Sequence, residues 1–137
     1  MIEQEFLAED SNLEKVLAFV TQNLEKAECS PKIMMQIEIS VEEIFVNIVH
    51  YAYKDTSENQ GKVRIGCNIE DGTAKITVCD SGIPYNPLEK KDPDITLSAE
   101  ERPIGGLGIF MVKKYMDEIR YEHTYGENRL VLIKKLA

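Results

Sequence analysis

Two strand-forming runs, KVRIGCNIE and AKITVCD at positions 62–70 and 74–80, are separated by an Asp-Gly pair at positions 71 and 72. Asp-Gly between two such runs is a strong hairpin signal, because both of its residues tolerate the positive φ angles of a tight turn. A hairpin makes its two strands antiparallel neighbours. Any sheet that this chain forms must therefore contain an antiparallel pair in the middle of the sequence.

The remaining segments alternate between helical and strand patterns. Helices are predicted at 11–27, with Ser11 as the cap, at 31–53, with Pro31 in the first turn, and at 105–117. Further strands are predicted at 2–8, at the sheet edge, and at 118–125 and 127–136. The order β-α-α-β-β-loop-α-β-β predicts an α/β two-layer sandwich, with helices on one face of a mixed, mainly antiparallel sheet. We expect residues 1–137 to form a single domain.

Composition excludes several classes of function. The formal net charge is −8 and Lys and Arg do not cluster, which argues against direct nucleic-acid binding. The three cysteines are an odd number without CxxC spacing, which argues against a disulfide framework or a zinc site and indicates a reducing compartment. No apolar run is long enough to span a bilayer, and the start MIEQEFLAED does not resemble a signal peptide. We therefore expect a cytoplasmic protein without a membrane partner.

The segment SVEEIFVNIVHYAY carries a polar pair on a predicted helix. Glu43 and Asn47 are four residues apart, so their side chains lie one turn apart on one face, and His50 continues that face. Such a stripe is more commonly a solvated face. Ile39 and Val46 on the far side indicate a helix that is covered on two sides, which would leave Glu43 and Asn47 lining a cleft.

Asp80 ends the second strand of the hairpin, in the sequence VCDSG. A buried carboxylate at a strand end can remain ionised and bind an amino group. The alternative is that Asp80, Ser81 and Gly82 only begin a turn, as these residue types often do.

A long irregular segment from Ser81 to about Pro103 contains four of the five prolines, and glycines 105, 106 and 108 follow it at the start of the third helix. A loop of this length inside a compact domain is typically a lid. Glycines at a helix start let phosphate approach unpaired N–H groups. No Gly-Lys-Ser/Thr follows, and no strand precedes, so neither a Walker nor a Rossmann motif is present. A flexible joint without a ligand remains the alternative.

Together and in this order, Glu43-x-x-x-Asn47, Asp80-x-Gly82 and Gly106-x-Gly108 resemble the GHKL ATPase superfamily, whose domain has the Bergerat ATP-binding fold. The bare domain with VEEIFVNIVHYAY and EERPIGGLGIFMVKKYMDEIRYE is most similar to the anti-sigma-factor serine kinases of bacteria. The resemblance covers nearly the whole chain. One departure is Pro84, which occupies the second glycine position of the superfamily's Asp-x-Gly-x-Gly motif.

The resemblance implies ATP and Mg²⁺ as cofactors and assigns the adenine side of the site. Asn47 would coordinate Mg²⁺ and Glu43 would be the general base that accepts the proton of a serine hydroxyl. Asp80 would accept the adenine amino group, with Gly82 letting the base lie against the backbone. His50 matches a histidine in the same motif of close relatives, and we include it among the nucleotide-binding residues without assigning it a step.

The phosphate side of the site is implied in the same way. Backbone groups at the start of the third helix would bind phosphate, from Gly105, Gly106, Leu107 and Gly108. The lid would span about 83–104, and Arg102 within it would reach the γ-phosphate.

The implied function is an ATP-dependent protein serine kinase that phosphorylates an anti-sigma antagonist (a STAS-type protein) and sequesters a sigma factor. A homodimer is implied only by the resemblance. Two alternatives stay open at this point. The first is a nucleotide-gated protein-binding module of the same fold with little or no phosphoryl transfer. The second is an α/β domain of another function in which the three motifs coincide by chance.

Overall fold

The computed structural model describes residues 1–53, 61–89 and 107–137. Its strands are β1 (Ile2–Leu7), β2 (Lys62–Glu70), β3 (Thr73–Asp80), β4 (Glu118–Thr124) and β5 (Glu127–Lys135). Its helices are α1 (Leu13–Glu25), α2 (Pro31–Asn47) and α3 (Leu107–Tyr115), with short 3-10 turns at Asp10–Asn12 and Pro87–Glu89. A π-helical turn, Ile48–Ala52, continues directly from the end of α2.

The five strands form one sheet in the order β1-β2-β3-β5-β4, and the four pairings between these strands are antiparallel. This arrangement confirms the predicted two-layer α/β class and places β1 at an edge, as expected. The Asp-Gly hairpin is also confirmed, since Asp71 and Gly72 have φ angles of 52° and 72°. Tyr125 and Gly126 turn the β4–β5 hairpin in the same way, with φ angles of 53° and 75°.

The helices cover one face of the sheet, and the core lies between the two layers. The apolar residues of α1 and α2 that are buried at this interface are Val16, Val20, Leu24, Ile37, Val41, Ile44 and Phe45. Alternate residues of the strands complete the core from below, among them Ile65, Ile76 and Leu132. The alternation continues to the end of β3 and the start of β5, where Asp80 and Asn128 are paired. Both residues stand at helix-facing positions and are therefore buried.

The helix starts show which local predictions hold. Ser30 caps α2 through its side-chain oxygen, which accepts a hydrogen bond from the Ile33 N–H at 3.3 Å, and Pro31 opens the helix as predicted. The predicted Ser11 cap is wrong. Ser11 lies in the 3-10 turn before α1, and its hydroxyl donates to the Glu9 carboxylate instead. Within the described ranges, no helix combines the length and apolar character that a membrane crossing requires.

Candidate nucleotide-binding site

A cavity of about 460 Å³ lies where the end of α2 and the π-helical turn pass over the ends of β3 and β5. Its walls are mostly apolar, and a few polar groups converge on it. The lining residues include Ile44, Asn47, Ile48, Tyr51, Ala52, Val78, Asp80, Pro84, Tyr85, Tyr121, Asn128 and Leu130. An apolar cleft of this size with a small number of placed polar groups is typical of a small-molecule site.

Asp80 supplies the buried charge of this cavity. It is the last residue of β3 and is only 6% exposed. Its Oδ1 accepts hydrogen bonds from the Gly82 N–H at 2.9 Å and from the Asn128 side-chain amide at 3.0 Å. Burial raises the pKa of the Asp80 carboxyl above its ordinary value, while these two bonds offset part of that rise. A desolvated carboxylate of this kind is a strong acceptor for an N–H donor of a ligand.

The segment after β3 packs directly on the π-helical turn. The Ile83 N–H donates to the Ala52 carbonyl oxygen at 2.9 Å. The Tyr53 hydroxyl accepts from the Ser81 N–H at 2.8 Å and donates to the Lys62 carbonyl oxygen at 2.7 Å. These bonds connect the end of the π-helical turn to β2 and to the segment after β3, and they hold the cavity wall in place.

Gly82 is required by this close packing. A Cβ atom at position 82 would lie 2.6 Å from the Cβ of Ala52 and still closer to its carbonyl oxygen. The turn-forming interpretation of Asp80-Ser81-Gly82 is also supported, because the Gly82 N–H bonds back to Asp80. The sequence pattern therefore serves both the turn and the cavity.

We expect Gly82→Ala to destabilise the protein by about 1–3 kcal/mol, because the new methyl group meets backbone that cannot move aside easily. Urea unfolding of wild type and variant measures this difference. Gly66→Ala is a matched control, since the nearest atom to its added Cβ is the flexible Met1 Sδ at 2.8 Å. Equal midpoints for both variants would contradict the steric argument.

Asn47 and Glu43 lie on α2, and the structure brings each to a different part of the site. Asn47, the last residue of α2, lines the same cavity as Asp80. Glu43 lies one turn earlier and is partly buried. Its carboxylate occupies the space in which a side chain at position 108 would stand, against the first turn of α3. Gly108 therefore allows α3 to approach Glu43 closely.

His50 does not join this cavity. Its Nε2 lies 3.1 Å from the Asp10 Oδ1, its side chain is 50% exposed, and it is absent from the cavity lining. The reason is the π-helical turn, which begins at Ile48 and has more residues per turn than an α-helix. The wider turn changes the spacing of side chains beyond Asn47, so the face of Glu43 and Asn47 does not continue regularly to His50, and the nucleotide-binding role of His50 stays a prediction.

The phosphate side of the predicted site is only partly described. Leu107 and Gly108 begin α3. Arg102, Gly105, Gly106 and the greater part of the expected lid lie outside the described residues, so their roles stay predictions.

Sequence reasoning missed Asn128, which the cavity places beside Asp80. The alternating run ENRLVLIKK indicates that the polar Asn128 faces the core, but it does not indicate that its partner is Asp80. Tyr51, Tyr85 and Tyr121 were missed as well, and they add aromatic walls to the cavity.

Comparisons with known proteins show the family of this chain. The family model of the histidine kinase-like ATPase domain matches residues 6–134. The anti-sigma F factor of Pasteuria penetrans is 33% identical over 104 residues, which cover 75% of this chain and 69% of that protein. The serine-protein kinase RsbW of Bacillus mycoides (strain KBAB4) is 31% identical over 97 residues, which cover 68% of this chain and 59% of the relative. The chain thus spans about three-fifths of the length of that RsbW relative.

Solved structures share the fold. The RsbU and RsbW domains of a Mycobacterium tuberculosis protein superpose with a TM-score of 0.68 at 17% identity, covering 99% of this chain and 33% of that one. The Acinetobacter baumannii histidine kinase AdeS gives a TM-score of 0.51 at 16% identity, covering 99% of this chain and 68% of that one. The match of the histidine kinase-like ATPase family model to residues 6–134 confirms the resemblance to GHKL ATPases.

Proposed function

Because the chain belongs to the family of histidine kinase-like ATPase domains, we propose that it is an ATP-dependent protein serine kinase and anti-sigma factor of a bacterial partner-switching system. The observation that carries the proposal is the convergence of Asn47 and Asp80 on one cavity, with Glu43 one helical turn away. The sequence separates the Glu43/Asn47 pair from Asp80 by more than thirty residues.

The cavity suits the base of an adenine nucleotide. Ile44, Val78 and Leu130 provide apolar walls against which the faces of a purine can pack. The Asp80 carboxylate would accept a hydrogen bond from the exocyclic amino group of adenine. Gly82, which shapes the turn beside it, keeps the edge of the cavity free of a side chain.

The residues on α2 and α3 suit the phosphate end. When bound, Mg²⁺ neutralises charge on the phosphates, which matters for a protein with a net charge of −8. Asn47 fits such an ion, because its amide offers an uncharged oxygen ligand at the cavity wall and Mg²⁺ retains several waters. Gly105, Gly106, Leu107 and Gly108 would bind phosphate through backbone N–H groups, and Arg102 would approach from the lid at about 83–104.

Glu43 would act on the incoming substrate. Its carboxylate would accept the proton of the serine hydroxyl as the oxygen attacks phosphorus, and the position one turn from Asn47 would hold that hydroxyl near the γ-phosphate. We assign as substrate a STAS-type anti-sigma antagonist and as second partner a sigma factor. The homodimer and the cytoplasmic location belong to the same proposal.

The test is a transfer assay with the purified chain, ATP, Mg²⁺ and a STAS-type anti-sigma antagonist. Phosphoserine on the antagonist is the expected result. ATP-dependent binding of a partner without any transfer over long incubation would favour a nucleotide-gated binding module instead. Absence of nucleotide binding by calorimetry would contradict both functions.

Asn47→Ala tests the metal assignment. We expect ADP to bind at least about tenfold more weakly than to wild type when Mg²⁺ is present, because an oxygen ligand of the ion is lost. With EDTA in place of Mg²⁺, the two proteins should bind ADP alike. Asn23→Ala is the matched control, since Asn23 is outside the cavity lining and its amide donates to the Phe19 carbonyl oxygen of its own helix. A loss that is equal with and without Mg²⁺ would remove Asn47 from the metal site.

A further inference from the structure

Asn128 is the most completely hydrogen-bonded side chain of the cavity. It stands opposite Asp80 in the β3–β5 pairing and is 6% exposed. Its amide nitrogen donates to the Asp80 Oδ1 and to the Ile83 carbonyl oxygen, each at 3.0 Å. Its amide oxygen accepts from the Tyr85 N–H at 3.1 Å and from the Tyr121 hydroxyl. One side chain therefore connects three strands and the segment after β3.

The orientation of this amide is determined by partners that cannot exchange roles. The Ile83 carbonyl oxygen can only accept a hydrogen bond, and the Tyr85 N–H can only donate one. Rotating the Asn128 amide by half a turn would place its oxygen against the carbonyl oxygen and its nitrogen against the N–H group. The nitrogen must therefore point at Asp80.

This orientation decides how the Asp80 carboxylate can be used. Oδ1 already accepts from Asn128 and Gly82. Both hydrogen bonds end on Oδ1, so they hold the carboxylate at that oxygen and do not occupy Oδ2. Oδ2 would accept a hydrogen bond from a ligand.

We propose that Asn128 is the positioning residue that sets the base specificity of this cavity. It holds Asp80 as a one-sided acceptor for a 6-aminopurine and fixes the Ile83–Tyr85 segment as the adjoining wall. The inference rests on the proposed function, since it requires that the cavity binds an adenine nucleotide. Asn128 acts through Asp80 and needs no contact of its own with the base.

The first test compares ADP with inosine diphosphate, which carries an oxygen in place of the adenine amino group. Wild type should prefer ADP. In Asn128→Leu, whose side chain has the same number and branching of heavy atoms but no polar atoms, we expect ADP affinity to fall about tenfold, because Asp80 loses its orienting donor. Inosine diphosphate does not use that acceptor and should lose less than about threefold, so that the preference shrinks.

If Asn128 had only a structural role, its substitution would not change the ratio of ADP affinity to inosine diphosphate affinity. Partial unfolding would lower the affinity for both nucleotides together, and thermal unfolding monitors the folded fraction. Asn68→Leu is the matched control, because Asn68 lies in the same sheet on β2, opposite Lys75 and outside the cavity lining. An Asn128→Leu protein that is folded and keeps the wild-type ratio would overturn the inference.

The second test uses Asn128→Asp and pH. At neutral pH the introduced carboxylate cannot donate and repels Asp80, so ADP binding should be weakest there. As pH falls, protonation of the new carboxyl restores a donor, and affinity relative to wild type should rise by about tenfold. Other ionisable groups near Asp80 are Glu127, His123, Tyr53 and Tyr121. These groups and Asp80 itself are present in both proteins, so wild type titrated over the same pH range is the reference for the variant.

Failure of the inference and failure of the proposed function give different results. Wild type that binds neither ADP nor inosine diphosphate would remove the proposed function and the inference with it. Wild type that binds ADP selectively, with an Asn128→Asp variant that follows it at every pH, would remove only the role of Asn128.

Discussion

Asp80→Asn is expected to weaken ADP binding by about a hundredfold, because a charged acceptor is replaced by a donor where the adenine amino group approaches. The carbonyl oxygen of the new amide would take the place of Oδ1, which accepts from Gly82 and Asn128. Its NH₂ group would then stand in place of Oδ2 and would oppose the amino group of the base. The same change should improve binding of inosine diphosphate relative to ADP.

The same substitution should leave the free protein at least as stable at neutral pH. Burial raises the pKa of the Asp80 carboxyl in the folded state, so the folded protein holds this proton more tightly than the unfolded chain. Stability contributed by such a group decreases as pH rises from the unfolded pKa, about 3.9, through the raised folded value. At pH values above the folded-state pKa, the ionised Asp80 carboxylate lowers the free energy of unfolding. The asparagine variant carries no such buried charge.

Calorimetric titration of both nucleotides and thermal unfolding across the acid range measure these effects. Asp71→Asn is a matched control, since Asn-Gly suits the exposed β2–β3 turn as well as Asp-Gly does. We expect the stability gain of the Asp80 variant to disappear at acid pH, where the wild-type carboxyl is protonated in both states. Unchanged ADP affinity would exclude Asp80 as the base-recognition residue.

Glu43→Ala is expected to lower phosphoryl transfer to the antagonist by about 10²–10⁴-fold, which is the usual contribution of a general base. Nucleotide affinity should stay within about threefold of wild type, because the carboxylate is assigned to the serine hydroxyl and not to ATP. The position of Glu43 against Gly108 supports a defined orientation for this carboxylate, since the absence of a side chain on α3 creates the space that it fills.

Single-turnover transfer with labelled ATP separates this effect from binding. Glu42→Ala is the matched control: Glu42 is the adjacent residue of the same helix, carries the same charge and is exposed. Its transfer rate should match that of wild type. A Glu43 variant with full activity would require another base, and a variant that no longer binds ADP would point to a structural role.

Much of this fold was predictable because its signals are local. The Asp71-Gly72 turn, the apolar stripes of α1 and α2 and the Ser30-Pro31 helix start each depend on residues within one or two turns of one another. Such patterns determine element type and order. Where a competing local contact was available, prediction failed, as at Ser11, whose hydroxyl bonds to Glu9 and does not cap the helix.

The site was predictable only as separate fragments. Glu43, Asn47 and Asp80 were predicted from motif and spacing, whereas the prediction that His50 shares the face of Glu43 and Asn47 assumed a regular α-helix through the π-helical turn. Asn128 was missed because its importance depends on strand register. It bonds to Asp80 across 48 positions of sequence, and no local pattern indicates which residues face each other at that distance.

The sequence by itself determined the elements, their order and the three motifs, because hydrophobic period and turn chemistry act over a few residues. Only the tertiary structure decided that Asp80 is held by Asn128, that Gly82 packs on Ala52, and that Glu43 fills the space left by Gly108. These contacts depend on sheet register and on the approach of helices, and both are set by the packing of the whole core.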